Sequence, residues 1–279
     1  MKKIIAAFDG LKFSESTMDY AIYLAKTSGA HLVGVFLDDA AYSSYKIYEL
    51  ISDGMVDQVK LKKLVEKDKT LRKQAAEKFE TTCQKAGIHF SIHHDRKIAT
   101  NELVHESIYA DLLILDRKET LTHYEESAPT RFIRNLLADV QCPVLVVAGK
   151  FTGFGKNILL YDGGPSSVHA IKMFDYTLSF LKNTDTEVLS VKNINSTLHL
   201  PDNKLMKEFV KRHFPNAKYQ VLQGFPETEI IKYLKEQSAD TVVVLGAYRR
   251  NAVSRFFKQS MADSLMIETT IPLFIAHNK

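Results

Sequence analysis

Cysteine is scarce in this chain of 279 residues: there are two, Cys83 in a helix-like context and Cys142 in a strand-like one. A pair so placed is no disulfide framework, and both read as packed thiols. Long apolar runs are missing as well. No stretch approaches the roughly eighteen uninterrupted apolar residues of a membrane span. After Met1-Lys2-Lys3 only Ile4 to Phe8 are apolar before Asp9, too few for the hydrophobic segment of a secretory signal. These absences set the expectation of a cytoplasmic protein without a membrane partner. A surplus of one charge sign is also lacking, since 37 Lys and Arg face 33 Asp and Glu, and composition therefore gives no reason to expect a nucleic-acid partner. Four catalytic signatures are absent: the G-x-x-x-x-G-K-[ST] phosphate loop, G-x-G-x-x-G after the first strand, the G-x-S-x-G elbow and H-E-x-x-H. His93 and His94 are adjacent on a predicted strand and so belong to opposite faces, which argues against a shared metal. Nothing supports a catalytic triad.

What is present is a repeat. Lys3 to Gly10 lies over Lys156 to Gly163, and Cys142-Pro143-Val144-Leu145 lies over Ile271-Pro272-Leu273-Phe274. Asp162 follows Asp9 by 153 residues, whereas Pro272 follows Pro143 by 129, so the first half carries 24 extra residues. Leu32 to Val35 over Val188 to Val191 keeps the longer offset and Asp111 to Ile114 over Asp240 to Val243 has the shorter one, which places the insertion within about 38–88. With 45% hydrophobic and 25% charged residues, each half can bury a core. The expected organisation is a first domain over 1–150 and a second over 151–279, joined near Gly149, Gly153 and Gly155.

Within each half, short apolar runs alternate with helical patterns. Ile4 to Phe8, Leu32 to Leu37, Leu112 to Leu115 and Val144 to Val147 are nearly continuous, as strands covered on both faces are. Between the first two, Ser14 is placed to cap a helix carrying Met18, Ala21, Ile22 and Ala25 on one face, and Gly29 to end it. Ile171, Phe174, Leu178 and Leu181 do the same in the second half. Strand, helix, strand in this order specifies right-handed βαβ units, and their repetition gives an α/β fold of two tandem doubly wound parallel sheets. The insertion reads as helix over Val56 to Ala86, ended by Gly87, with Leu71, Ala75, Phe79 and Cys83 at i+4 spacing. Its stretch Lys60 to Lys73 holds seven Lys or Arg against Glu66 and Asp68, either a solvated face or one that meets an acidic partner.

In such sheets ligands sit at the carboxyl ends of the strands where their order reverses. Asp9-Gly10 and Asp162-Gly163 follow strand one of each half. An Asp there either accepts hydrogen bonds from a ligand or satisfies the amides of its own turn. After the strand Thr241 to Leu245 come Gly246, the cations Arg249, Arg250, Arg255 and Lys258, and Ser260 opening a short helix. A glycine at a strand end lets backbone amides approach a ligand, and a hydroxyl at a helix N-terminus offers an anion site; the same serine would equally cap its helix.

On these residues the chain resembles the universal stress protein family in a tandem form. The strand-one Asp, the strand order, the closing Cys-Pro-Val-Leu-Val-Val strand and a partial Gly-x2-Gly-x9-Gly-Ser/Thr motif carry the likeness over both halves. Counting back from Pro272 puts Gly246 and Ser260 at the first and last motif positions, with Arg249 and Gln259 where the family has glycine; Arg249 has the donors to bind an anion directly. The same count from Pro143 gives Arg117, Thr120, Thr130 and Arg131, with neither glycine nor a final hydroxyl. The resemblance implies a Rossmann-like, adenine nucleotide alpha hydrolase-like fold and ATP or another adenine nucleotide near Asp162, Gly163, Val191, Gly246, Arg249 and Ser260. It also implies a regulatory role in stress response rather than turnover, and last strands that pair within the chain as a pseudo-dimer or between copies as a homodimer. Two other functions compete with it: a weak ATPase using the basic cluster, and a ligand-free interaction module.

Overall fold

The computed structural model describes residues 1–37, 51–52, 55–95, 99–120, 125–247 and 260–277. The chain forms two compact units, Lys2–Gln141 and Cys142–Lys279, the latter with Met1.

The first unit runs β1 (Lys3–Asp9), α1 (Glu15–Ser28), β2 (His31–Leu37), a short antiparallel pair β3 (Ile51–Ser52) and β4 (Met55–Val56), α2 (Gln58–Ala86), β5 (Phe90–Asp95), α3 (Ala99–Ser107), β6 (Leu112–Asp116) and α4 (Arg131–Asp139). Its main sheet has the order β6-β1-β2-β5 and is parallel throughout. Ile4 to Phe8 have no exposed surface, because α-helices cover the central strands on both faces. Local chemistry sets the helix ends. Ser14 Oγ accepts from the Thr17 amide at 3.1 Å, and Gly29 takes the left-handed conformation at φ +65°. Asp57 caps α2 through Val59 and Lys60, both at 3.0 Å, and Gly87 ends it at φ +66°.

The long helix α2 lies in the stretch 38–88, where the change of repeat offset puts the extra residues. It occupies the same place in the chain order as the 11-residue helix of the second unit, α6 below, and is a 29-residue version of that crossover. Its C-terminal part carries Ala75, Phe79 and Cys83 into the core, where Phe79 meets Phe8, Phe36 and Phe90 at ring separations of 5.6, 5.9 and 6.0 Å. Gly34 on β2 makes room for this ring, since a Cβ there would lie 2.7 Å from Phe79 Cζ. Lys60, Lys62, Lys63, Lys67, Lys69 and Lys73 are exposed, as a solvated face requires.

The second unit runs β7 (Val144–Val147), β8 (Lys156–Leu160), α5 (Pro165–Thr177), β9 (Asp185–Lys192), α6 (Asn203–His213), β10 (Lys218–Gln223), α7 (Pro226–Lys235), β11 (Thr241–Leu245), α8 (Met261–Glu268) and β12 (Leu273–Ile275). The strand order is β10-β9-β8-β11-β12-β7. All neighbours are parallel except β12 and β7, which pair antiparallel through Leu273 with Val146, Phe274 with Leu145 and Ile275 with Val144. The expected pairing of the two closing strands thus occurs within one chain. It also moves β7, the last strand of the first sequence repeat, into the second compact unit, so that the units divide after Gln141. Helix α5 stops at Thr177; Leu181 reaches the core from a short 3-10 turn, Ser179–Leu181.

Both cysteines are buried, and burial pushes the Cys83 thiol up to about 12. His93 Nδ1 lies 2.7 Å from Glu106 Oε1 while the His94 ring lies beside Phe36, on opposite faces of β5 as the alternation requires.

Candidate functional site

In the second unit the chain leaves β8 outward to β9 and β10, then returns to the other side of β8 as β11 and β12. The order therefore reverses between β8 and β11, and the loops leaving their carboxyl ends diverge there. Tyr161 to Gly164 leave β8, and Gly246 and Ala247 leave β11.

Asp162 is exposed, and its Oδ1 accepts from the Gly164 amide at 2.8 Å and from Ser167 Oγ at 2.7 Å. One carboxylate oxygen thus holds the turn; the other, Oδ2, accepts no hydrogen bond from any described residue. Gly163 has φ +86°, and a Cβ on it would meet Pro201 at 2.8 Å, so only glycine fits beneath the loop that ends there. Beside it Tyr161 is buried. Burial first, then the Asp202 and Asp162 carboxylates, raise its hydroxyl above the ordinary phenol range. Val191 is half-buried one residue before the end of β9 and pairs with Leu222.

Gly246 has a use that its sequence position did not disclose. A Cβ there would lie 2.5 Å from both the carbonyl carbon and oxygen of Ser166, on the first turn of α5. The turn after β11 is pressed against backbone, so glycine is needed for packing whether or not a ligand comes near. Ser166 Oγ, 2.8 Å from that same point, is buried with no hydrogen-bond partner among the described residues. Ser260 is the N-cap of α8, its Oγ accepting from the Ala262 amide at 3.3 Å. Arg249, together with Arg250, Arg255, Lys258 and Gln259, lies outside the described residues.

The first unit repeats this plan with different chemistry. Its reversal falls between β1 and β6, where Asp9 is fully buried and its Oδ1 accepts from the Leu11 amide at 2.8 Å. Asp116, closing β6, accepts from Ser14 Oγ at 2.9 Å and so ties the end of that strand to the start of α1. The spacing count from Pro143 set Arg131 against Ser260 and found no hydroxyl. The structure corrects it: Thr130 is the N-cap of α4, accepting from the Ile133 amide at 3.3 Å. Helix α4 has nine residues and α8 eight, which displaces the register by one. Both halves keep a hydroxyl cap.

Sequence reading also passed over the ends of β9 and β10, where Asn193 to Ser196 and Gly224-Phe225 line an open depression of about 410 Å³. The signal available was Gly224, a glycine directly after a strand.

A doubly wound parallel sheet with a glycine turn and a hydroxyl-capped helix at its switch point defines an α/β protein of the kind that holds small ligands at its strand ends. The chain belongs to the universal stress protein family, whose sequence model matches residues 1–148. Its fold is similar over 99% of its length to that of a universal stress protein from Archaeoglobus fulgidus, of which 98% is covered, with a TM-score of 0.68 and 15% identity. A functionally unknown protein from Pseudomonas aeruginosa is similar over 99% of this chain and 92% of its own, with a TM-score of 0.61 and 12% identity. At these identities the likeness is one of fold. No curated protein matches the sequence. Among the described residues no helix is long and apolar enough to cross a membrane.

Proposed function

We propose that this tandem universal stress protein acts by binding, and that it takes one adenine nucleotide, at the carboxyl ends of β8, β9 and β11. The observation that carries this reading is the difference between the two strand-one aspartates. Asp9 is fully buried, whereas Asp162 is exposed and keeps Oδ2 free of described donors. A carboxylate oxygen free at a switch point is an acceptor for ribose hydroxyls. Val191 offers apolar surface beside it, and the N-terminus of α8 with Ser260 favours negative charge through the helix dipole. The residues thus suit a nucleoside at Asp162 with its phosphates toward Ser260. Asp162 would orient the ribose and Ser260 would hold a phosphate oxygen; the ligand's own chemistry is that of a regulator carrying charge, and no bond need break.

The test is direct. Protein purified without added nucleotide is heat-denatured, and the supernatant is separated by chromatography with mass detection. Release of an adenine nucleotide supports the reading. Release of none, together with no heat of binding on titration with ATP, makes the chain a ligand-free interaction module.

A further inference from the structure

The N-terminal part of α2, residues 58–74, carries Lys60, Lys62, Lys63, Lys67, Lys69, Arg72 and Lys73 against Glu66 and Asp68. Seven cations against two acids is an excess of five, whereas the whole chain, with 37 against 33, has an excess of four. The positive charge of the molecule is therefore gathered on one stretch of helix. Asp68 is buried, which leaves Glu66 as the one exposed acid there. The apolar residues that α2 buries, Ala75, Phe79 and Cys83, all lie beyond this stretch.

A solvated face accounts for the exposure of these lysines but not for their arrangement. Lys63 and Lys67, and again Lys69 and Lys73, stand four residues apart, and Lys60 and Lys63 three apart, spacings at which like charges destabilise a helix by about 0.2 to 0.5 kcal/mol per pair. Lys60 sits in the first turn, which holds no acid, at the positive end of the helix dipole. Lys73 has Glu77 at 3.5 Å, but among the described residues Lys60, Lys62, Lys63, Lys67 and Lys69 have no ion pair. The charges thus work against the helix that carries them, and an anionic partner would relieve them.

We infer that this face of α2 docks an acidic protein segment, a function independent of the nucleotide reading above. Lys60, Lys63 and Lys67 follow i, i+3, i+7 and form one row; Lys62, Lys69 and Lys73 form a second, and together they extend about 20 Å along the axis at 1.5 Å per residue. Carboxylates at the same spacing on a partner helix meet them over that length. Other anionic partners suit the stretch less well. Leu61, Leu64 and Leu71 are half-buried in the fold, leaving Val59 at 68% and Val65 at 44% exposure, so no broad apolar face is offered to a bilayer. Arg72, the one arginine, is half-buried, and the exposed cations are all lysines, which lack the fork that recognises phosphate in nucleic acids. The same face of a second copy would bring like charges together.

The test uses the full chain and a fluorescein-labelled peptide of repeating Glu-Ala-Ala-Glu-Ala-Ala-Ala units, followed by anisotropy. Wild type should bind it with an affinity that falls as salt rises. The triple variant Lys60→Gln, Lys63→Gln, Lys67→Gln should bind about 3- to 100-fold more weakly, for loss of three exposed charge pairs. Its melting temperature should be unchanged or raised, because repulsion within the helix is removed. A second triple variant, Lys204→Gln, Lys211→Gln, Lys232→Gln, makes the same change of net charge at exposed lysines of the second unit and should bind as wild type does. Equal weakening in both variants would make net charge alone responsible and overturn the inference. So would a lowered melting temperature in the α2 variant, since the lysines would then serve the fold. Tighter binding of phosphatidylserine vesicles or duplex DNA than of the peptide at the same salt would assign the face to lipid or nucleic acid and overturn it as well.

Discussion

Ser260 caps α8 through the Ala262 amide, and the same hydroxyl is the proposed phosphate contact. The two roles are separable by measurement. Ser260→Ala should cost on the order of 1 kcal/mol of stability from the lost cap. If the phosphate contact exists, it should also weaken ATP binding about 5- to 100-fold, for loss of a charge-assisted hydrogen bond of roughly 1 to 3 kcal/mol. Melting and calorimetry on the same variant read the two effects, with Arg249→Gly beside it as the change that restores the family's glycine. Gly246 gives a complementary case. Because a Cβ would meet the Ser166 backbone at 2.5 Å, Gly246→Ala should lose about 1 to 3 kcal/mol or more by overpacking. The loss should be the same with and without nucleotide. A variant of wild-type stability that fails only to bind would show that the glycine serves the ligand alone.

At the scale of the elements, α2 is held to the sheet by its last three turns. Phe79 enters the notch that Gly34 leaves in β2 and closes a cluster with Phe8, Phe36 and Phe90. Gly34→Ala should therefore destabilise the first unit, and Phe79→Leu should recover part of that loss by withdrawing the ring, giving a non-zero coupling in a double-mutant cycle followed by urea unfolding. Additive losses would mean that the ring has room to move aside. The second unit fixes α7 differently. Lys156 Nζ sits 3.1 Å from Glu187 Oε2 and 2.9 Å from Gln237 Oε1, and Tyr233 donates its hydroxyl to Glu187 Oε1 at 2.5 Å. Burial and this carboxylate push the Tyr233 hydroxyl well above the ordinary phenol range. Removing Glu187 leaves Lys156 with the Gln237 oxygen but no carboxylate in contact and the Tyr233 hydroxyl without its acceptor, so Glu187→Ala should cost about 1 to 3 kcal/mol, read as a lowered urea midpoint.

Across the whole molecule, Cys83 and Tyr20 join Tyr161 and Tyr233 in linking stability to alkaline pH. Burial raises the Cys83 thiol from 9.0 and the Tyr20 hydroxyl from 10.0, each to about 12. Both groups keep their protons in the folded chain after the unfolded chain has released them. Their contribution is complete below about pH 9 and is lost as pH rises from there through about 12. Urea midpoints should fall steeply over that window, and Tyr20→Phe should flatten the part above pH 10; an equal slope in both proteins would remove Tyr20 from the account. The repeat also bears on stoichiometry. Since Asp9 is buried and Asp162 exposed, calorimetry should find close to one nucleotide per chain, and two equivalent sites would refute the assignment to the second half.

The helix ends at Ser14, Gly29, Gly87 and Ser260 and the runs of buried strands were legible in the sequence, because caps and periodicity depend on residues a few positions apart. The repeat told that the same crossover is built twice, and only the structure showed that the extra residues both lengthen α2 and add the short pair β3 and β4 before it. Contacts between residues distant in the chain had no such signal. The antiparallel pairing that moves β7 into the second unit, the one-residue offset that makes Thr130 the counterpart of Ser260, the contact that requires Gly246 beside Ser166, and the meeting of Ile194 with Phe225 at one depression were decided by tertiary structure. Each depends on which strands become neighbours and on how the helices settle over them, and neither composition nor spacing along the chain carries that information.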